Sequence, residues 1–349
     1  MDTKVFIMEE GNIDINKIKQ CGDIIKKGGT IAFPTETVYG LGANALDSNA
    51  VKKIFEAKGR PQDNPLIIHV HSFNIEDLVE EVPEVSKELM KKFFPGPLTI
   101  IFKKKPIVPM ETSAGLETIG IRMPDNEIAL KLIEASGVPI AAPSANISGR
   151  PSPTDISTCI IDLDGRVDGI IGGSSSNVGV ESTIIDCTVE PPCVLRPGGV
   201  TLEELREVQK NIYIDPAIME KPRVDFKPKA PGMKYRHYAP KAPVKIIKGD
   251  LQKTIEKINE MVQNYIDNNK RVGIMATDET KEFYKSGEVI SLGSRNNMNN
   301  IAKNLFSTLR SFDKLKVDVI LSEAFSEEGI GLAIMNRLNK SAGFHIIEI

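Results

Sequence analysis

The sequence predicts an α/β protein of two domains, a large twisted mixed sheet with helices against it followed by a smaller parallel α/β sheet. Three observations carry this. The chain has 349 residues, 41% of them hydrophobic, too many for one core of ordinary size. Apolar residues recur at helical spacing in some stretches and in short strand-like runs in others, along the whole length. The charge is also divided, with 22 basic and 32 acidic side chains in residues 1–220 and 14 of each in residues 246–349. Between them, Lys221 to Lys245 carries +7 and five prolines, Pro222, Pro228, Pro231, Pro240 and Pro243. Proline fixes φ and removes a donor, so this stretch reads as an extended linker without its own core. The expected domains are 1–220 and 244–349, joined by a basic linker over 221–243.

In the first domain, Ile15, Ile18, Cys21 and Ile25 stand at helical spacing and stop at Gly28-Gly29, before a short apolar strand, Thr30 to Phe33. Ser48 is placed to cap a helix with Val51, Ile54 and Phe55 on its apolar face, ending at Gly59 before Pro61. Further strands are expected at Leu66 to Val70, Leu98 to Phe102, Thr118 to Met123, Val138 to Ala142, Gly169 to Ile171, Ser182 to Asp186 and Val194 to Arg196. Strands outnumber helices, which points to a mixed sheet. In the second domain, strands at 244–247, 272–276, 289–292, 317–321 and 344–349 alternate with helices near 251–268, 279–286, 297–312 and 330–341. That alternation implies a mainly parallel sheet covered on both faces.

Several function classes are excluded. A net charge of −3 does not suit a uniformly basic nucleic-acid coat. No apolar run approaches the roughly 18 residues of a membrane span, and the N-terminal stretch lacks the order of a signal peptide, so a cytoplasmic protein is expected. Cys21, Cys159, Cys187 and Cys193 include no CxxC pair and read as buried thiols. Walker A, GxGxxG, HExxH and GxSxG motifs are absent, which removes the commonest NTPase, dinucleotide, zinc-protease and hydrolase readings.

Polar residues nevertheless stand where a fold alone would not ask for them. Pro34 to Gly42 places hydroxyls and glycines at a strand exit, where open α/β sheets bind ligands. Lys58-Gly59-Arg60-Pro61-Gln62 follows a helix. The helix dipole accounts for Lys58, whereas Arg60 and Gln62 lie beyond it, and a Lys-x-Arg pair can grip phosphate oxygens. His69 and His71 are two apart in one strand and so share a face. With no acidic or Cys partner at ligand spacing, no metal site is expected, and a single His donating to an anionic substrate is the stronger reading. Arg122, inside the apolar strand 119–123, must be paired if buried, either within the fold or by a ligand carboxylate or phosphate. Ser144 and Asn146 follow a strand among small residues that let a ligand approach.

In order along the chain, Phe33 to Leu41, Lys58 to Pro61, Pro95 to Thr99, Arg122 to Pro124, Pro143 to Asn146, Val180 to Thr183 and Leu195 to Gly198 resemble the signature blocks of the YrdC-domain family. Ala230 to Pro240 is similar to the connector of its two-domain members. The resemblance covers nearly the whole chain, without departure at the matched blocks. It implies a YrdC-like twisted mixed sheet, a smaller Rossmann-like C-terminal domain, and a nucleotidyltransferase that converts L-threonine, bicarbonate and ATP into threonylcarbamoyl-adenylate and pyrophosphate. A downstream transferase complex then uses that product to modify tRNA beside the anticodon, so tRNA is an indirect partner and a membrane is not one.

Carried over from the family, Lys58, Gln62, Thr118, Ser144, Ser152 and Arg196 would contact ATP, with Arg60, Asn146 and Tyr235 also assigned there. Thr35, His69, Arg122, Ala142 and Ser182 would hold threonine, with the Arg122 fork on its carboxylate. Tyr235 and His237 are expected to form a lid. Mg2+ is expected to arrive with the phosphates, because no Asp pair offers a dedicated cage. No residue stands out as nucleophile or general base. The competing reading is a non-enzymatic RNA-binding or translation-associated module, whose binding would weaken steeply with salt and need no threonine.

Overall fold

The computed structural model describes residues 2–220 and 237–349. Tyr235 and most of the basic linker therefore lie outside the described residues. Those described fall into two compact units, one of residues 2–148 and 152–218, the other of residues 149–151, 219–220 and 237–349.

The first unit holds strands β1 (Lys4–Ile7), β2 (Ile31–Phe33), β3 (Gly40–Asn44), β4 (Ile67–His69), β5 (Leu98–Lys103), β6 (Thr118–Arg122), β7 (Ile140–Ala142), β8 (Gly169–Gly172), β9 (Thr183–Asp186), β10 (Cys193–Arg196) and β11 (Tyr213–Ile214). Its helices are α1 (Ile15–Lys26), α2 (Ser48–Lys58), α3 (Glu84–Phe93), α4 (Met110–Ser113), α5 (Glu127–Ser136), α6 (Ile156–Leu163) and α7 (Leu202–Arg206). The strands form one sheet in the order β1-β8-β2-β3-β7-β4-β6-β5-β9-β10-β11, with parallel and antiparallel neighbours mixed. The expected mixed sheet is what forms.

Local chemistry explains the helix ends. Asp14 caps α1 by accepting from the amides of Asn16 and Lys17, and the helix buries Ile18, Cys21, Gly22 and Ile25. For α2 the cap is Asp47, which accepts from Asn49 and Ala50, and not Ser48, whose hydroxyl donates to Glu111 instead. Its C-cap Gly59 takes the left-handed conformation at φ 60°. The glycine-rich stretch 40–44, which is not among the strands expected from the sequence, is strand β3, antiparallel to β2 and β7. Tertiary pairing outweighs glycine's poor strand propensity there. The core over this part of the sheet joins Ile18, Ile25, Phe33, Leu132, Ile140 and Ala142.

The second unit has β12 (Val244–Lys248), β13 (Val272–Ala276), β14 (Glu288–Ser291), β15 (Val319–Glu323) and β16 (Ile346–Glu348), with α8 (Leu251–Asp267), α9 (Met298–Leu315) and α10 (Gly331–Ser341). The order is β14-β13-β15-β12-β16 and every neighbouring pair is parallel. Ile255, Ile258 and Val262 of α8 pack against Ile247, Ile274 and Leu321. Phe312 of α9 lies over Gly273, on the opposite face, where a Cβ would come within 2.5 Å of its ring. The helix expected over 279–286 is only one 3-10 turn, Lys281–Phe283. The Thr280 hydroxyl accepts from the Thr277 amide at 3.0 Å, a local bond that competes with a regular helix.

Candidate active site

The register of the large sheet assembles most of the residues singled out from sequence. Side chains alternate along a strand, so Thr118, Gly120 and Arg122 of β6 share one face. Directly paired residues point the same way, and β4 sets Ile67 beside Gly120 and His69 beside Arg122. On the far side of β4, Ala142 of β7 pairs with Ile67. On the far side of β6, Ile101 of β5 pairs with Gly120, and two residues earlier Thr99 pairs with Ile184 of β9. Ser182 lies two residues before Ile184, and its hydroxyl is 2.8 Å from that of Thr99. Ala142, His69, Arg122, Thr99 and Ser182 thus come to one face from five segments. Gly120 keeps that face low, since a Cβ there would meet the Thr99 methyl at 2.8 Å.

Arg122 is 4% exposed. Its Nε donates to the Gly96 carbonyl at 3.4 Å and its Nη2 to the Thr37 hydroxyl at 2.9 Å. The same Nη2 lies 2.7 Å from Oε2 of Glu36, yet it is not aligned for a hydrogen bond, and neither Glu36 oxygen has a hydrogen-bond partner. The Pro95-Gly96-Pro97 block is explained by this neighbourhood: Gly96 holds Arg122 by its carbonyl, and Pro97 accepts from the Thr183 amide at 2.9 Å.

His69 is buried, with Nδ1 3.2 Å from the Ile67 carbonyl and its ring edge-on to Phe33 at 5.9 Å. Burial, and secondarily the Arg122 charge, push its pKa down to about 3. The imidazole is therefore neutral at pH 7. The pairing with His71 fails, because β4 ends at His69 and His71 is exposed beyond it.

Thr35 sits in the loop after β2, where its hydroxyl donates to the Val38 carbonyl at 2.6 Å and lies 2.9 Å from the Thr37 hydroxyl. Neighbouring loops are tied to this one through backbone bonds. Val178 donates to the Glu36 carbonyl, Gly179 to that of Thr37, Tyr39 to Pro153, and Ala145 to Tyr39. Ser176 adds a side-chain bond to the Thr35 carbonyl. A loop so fully bonded is pre-shaped rather than adaptable.

The cations assigned to ATP occupy three places. Lys58 reaches from the end of α2 to the carbonyls of Ser144 and Asn146, each at 2.5 Å, so its tip serves the neighbouring loop and the helix-dipole account does not describe it. In that loop Ser144 donates to Asn146 Oδ1 at 2.5 Å and Asn146 Nδ2 to the Ile147 carbonyl at 2.8 Å. Arg60 is half-buried, over the Phe55 ring at 5.8 Å and bonded to the Asn64 carbonyl. Arg196 closes on Ser182, with Nε and Nη2 on its carbonyl at 3.1 and 2.9 Å and Nη2 on its hydroxyl at 3.1 Å. Gly198 permits this, since a Cβ would lie 2.3 Å from the Glu181 carbonyl oxygen and the Thr183 amide nitrogen.

The remaining predicted residues are more dispersed. Ser152 donates to Oε1 of Glu181 at 2.6 Å. Gln62 is exposed. Thr118 begins β6 and stands four residues, about 13 Å, from Arg122, beside a shallow depression lined by Leu66, Ile67, Thr99, Ile101 and Ile184. His237 belongs to the second unit, with its ring 5.7 Å from that of Tyr238, which stacks on Phe306. Sequence reasoning missed Glu36, Thr37, Thr99 and Glu181 as members of this constellation. The available signals were a lone carboxylate in the otherwise uncharged stretch 30–51 apart from Asp47, and a hydroxyl inside an apolar strand.

Comparison with known proteins follows the same division of the chain. The Sua5/YciO/YrdC family model, described as telomere recombination, matches residues 23–198, and a model described as threonylcarbamoyl-AMP synthase, C-terminal domain, matches residues 200–343. Threonylcarbamoyl-AMP synthase of Pyrococcus abyssi is 52% identical over 334 residues, 95% of this chain and 96% of that one. The Bacillus subtilis protein of the same name is 47% identical over 345 residues, 98% of each. The crystal structure of P. abyssi Sua5 complexed with L-threonine superposes with a TM-score of 0.94 at 50% identity, covering 99% of this chain and 100% of that one. On these matches, spanning both units, the chain belongs to the Sua5/YciO/YrdC family in its two-domain form, with a threonylcarbamoyl-AMP synthase C-terminal domain.

Proposed function

We propose that this chain is an L-threonylcarbamoyladenylate synthase, a nucleotidyltransferase acting on L-threonine, bicarbonate and ATP and releasing pyrophosphate. The observation that carries the reading is the buried Arg122, in register with neutral His69 on a sheet face that also presents Ala142 and Ser182. A buried guanidinium whose fork matches a carboxylate is what recognition of an amino acid requires. Relatives named as synthases over nearly the full length favour the enzymatic reading over an RNA-binding module.

In this reading the protein works by positioning and charge neutralisation. Threonine lies with its carboxylate on Arg122, and Thr35, His69, Ala142 and Ser182 surround it. A neutral His69 offers an N–H without adding a second positive charge. Lys58, Arg60 and Arg196 face the triphosphate with Ser144, Asn146, Ser152, Gln62, Thr118 and Tyr235, so that the α-phosphorus is held against the carbamate. Mg2+ would be carried on the triphosphate oxygens, where it would neutralise charge. Tyr235 and His237 close over the product as a lid. The labile adenylate passes to a transferase complex that modifies tRNA, and the cytoplasm is the proposed compartment; no described helix is long and apolar enough to cross a membrane.

The test is pyrophosphate release with threonine, bicarbonate and ATP omitted in turn. Release is expected only with all three present, and release indifferent to threonine would remove the assignment.

A further inference from the structure

Glu36 is 7% exposed, and neither of its carboxylate oxygens accepts a hydrogen bond, although Nη2 of Arg122 stands 2.7 Å from Oε2. A buried carboxylate ordinarily collects several N–H or O–H donors, and lacking them is costly. Its backbone cannot easily swing it elsewhere, because the carbonyls of Glu36 and Thr37 accept from Val178 and Gly179 at 2.8 and 3.1 Å. Arg122 gives its Nε to the Gly96 carbonyl and one Nη2 hydrogen to Thr37, so Nη1 keeps its donors for a ligand carboxylate. A ligand that carries N–H donors into this pocket would complete Glu36.

An ammonium group has the right chemistry, three N–H donors and a positive charge with no acceptor. Beside it, Arg122 is suited to a carboxylate. A neutral Arg–Glu pair with one member short of partners fits a small zwitterion carrying an ammonium and a carboxylate on the same carbon, which is an α-amino acid. We propose that L-threonine inserts into this ion pair, its carboxylate on Arg122 and its ammonium on Glu36, and that Glu36 is the proton acceptor for the amino group. The inference deepens the synthase reading and rests on it.

The chemistry balances without a further reagent. The ammonium gives one proton to the Glu36 carboxylate, leaving a neutral amine and a carboxylic acid. The amine nitrogen bonds to the bicarbonate carbon, and the bicarbonate hydroxyl leaves as water with a second amine proton. A carbamate oxygen then bonds to the α-phosphorus of ATP as the bond to pyrophosphate breaks, and the proton on Glu36 returns to solvent.

The test is steady-state pyrophosphate release by Glu36→Gln, reading the threonine KM, the ATP KM and kcat separately, with melting curves to confirm the fold. Threonine KM is expected to rise about a hundredfold, the scale of one lost buried charged contact, with kcat lowered and ATP KM unchanged. An unchanged threonine KM, or an equal rise in both KM values, would overturn the proposal and leave Glu36 a structural partner of Arg122. Should Glu36→Gln fail to fold, Glu36→Asp keeps the charge and moves it by one methylene. Its threonine KM is expected to rise about tenfold with ATP KM unchanged, and a parallel rise in both counts against the proposal in the same way. Failure of the wild-type enzyme to require threonine would instead remove the synthase reading, while calorimetric titration of both proteins with L-threonine would still decide whether Glu36 holds an amino acid.

Discussion

Among the described residues each unit has a buried glutamate set beside an arginine, and the two are built differently. In the second unit Glu323, at the end of β15, is 0% exposed and fully partnered. Its Oε1 accepts from the hydroxyls of Thr280 at 2.5 Å and Tyr284 at 2.6 Å, and its Oε2 pairs with Nη2 of Arg295. In the first unit Glu36 has Arg122 beside it and no hydrogen bond at either oxygen. A buried carboxylate with donors on both oxygens belongs to the fold, whereas one with none on either oxygen is a candidate for a bound partner. The difference separates a structural pair from a functional one by counting donors.

That contrast can be broken at four points. The largest effect is expected for Arg122→Ala, which should lower kcat/KM for threonine by about a thousandfold or more, because a lone Glu36 charge then stays buried in the site and the carboxylate loses its fork. A variant as active as wild type at low threonine would make the two pairs alike. Next, Glu323→Ala should destabilise the protein by about 3–5 kcal/mol in chemical denaturation, since it strands Arg295 and two hydroxyls. Glu36→Ala strands the buried Arg122 charge but removes no hydrogen bond, so it should cost measurably less than Glu323→Ala, and equal losses would erase the distinction. Gly198→Ala should cost about 1–3 kcal/mol by overpacking and should also slow turnover, because it pushes on the Glu181–Thr183 backbone that Arg196 grips. Retained stability and rate there would show that this segment moves freely.

The smallest effect is in pH dependence, and the two units should differ in direction. Burial holds the folded His69 pKa near 3, below its usual 6.5. Its contribution is therefore complete above about pH 6.5 and lost as pH falls towards 3, because the unfolded chain takes up the proton first. Burial and the Glu323 charge raise the Tyr284 pKa above its usual 10. That contribution is complete below pH 10 and lost above it, as the unfolded chain ionises first. Denaturation midpoints of His69→Asn and Tyr284→Phe across pH 4–11 check this. The first should flatten the acid side and the second the alkaline side.

Much of the fold was legible from local pattern. The apolar spacing of Ile18, Cys21 and Ile25 marked α1, Gly59 marked the end of α2, and regular alternation marked the parallel second sheet. Errors arose where a local rule met tertiary pairing. Gly40 to Asn44 has no local strand pattern and becomes a strand because β2 and β7 bracket it, and Asp47, one residue before the expected Ser48, is the cap. The site was legible by residue type, since Arg122, Lys58 and Arg196 are conspicuous in apolar or small-residue surroundings. Glu36 was visible in the sequence as well, but nothing local indicates that a carboxylate will be buried without donors.

The sequence by itself determined the mixed α/β class with a second, parallel-sheet domain, the strand alternation and the identity of the polar residues, because each depends on neighbours within a few positions. Only the tertiary structure decided the order of the eleven strands, and with it that Ala142, His69, Arg122, Thr99 and Ser182 share one face. It also decided that Glu36 and Arg122, 86 positions apart, are paired. Side-chain alternation says which face of its own strand a residue occupies, and contacts between distant strands say what that face meets. The first is written in a window of a few residues, while the second arises only when the whole sheet has closed.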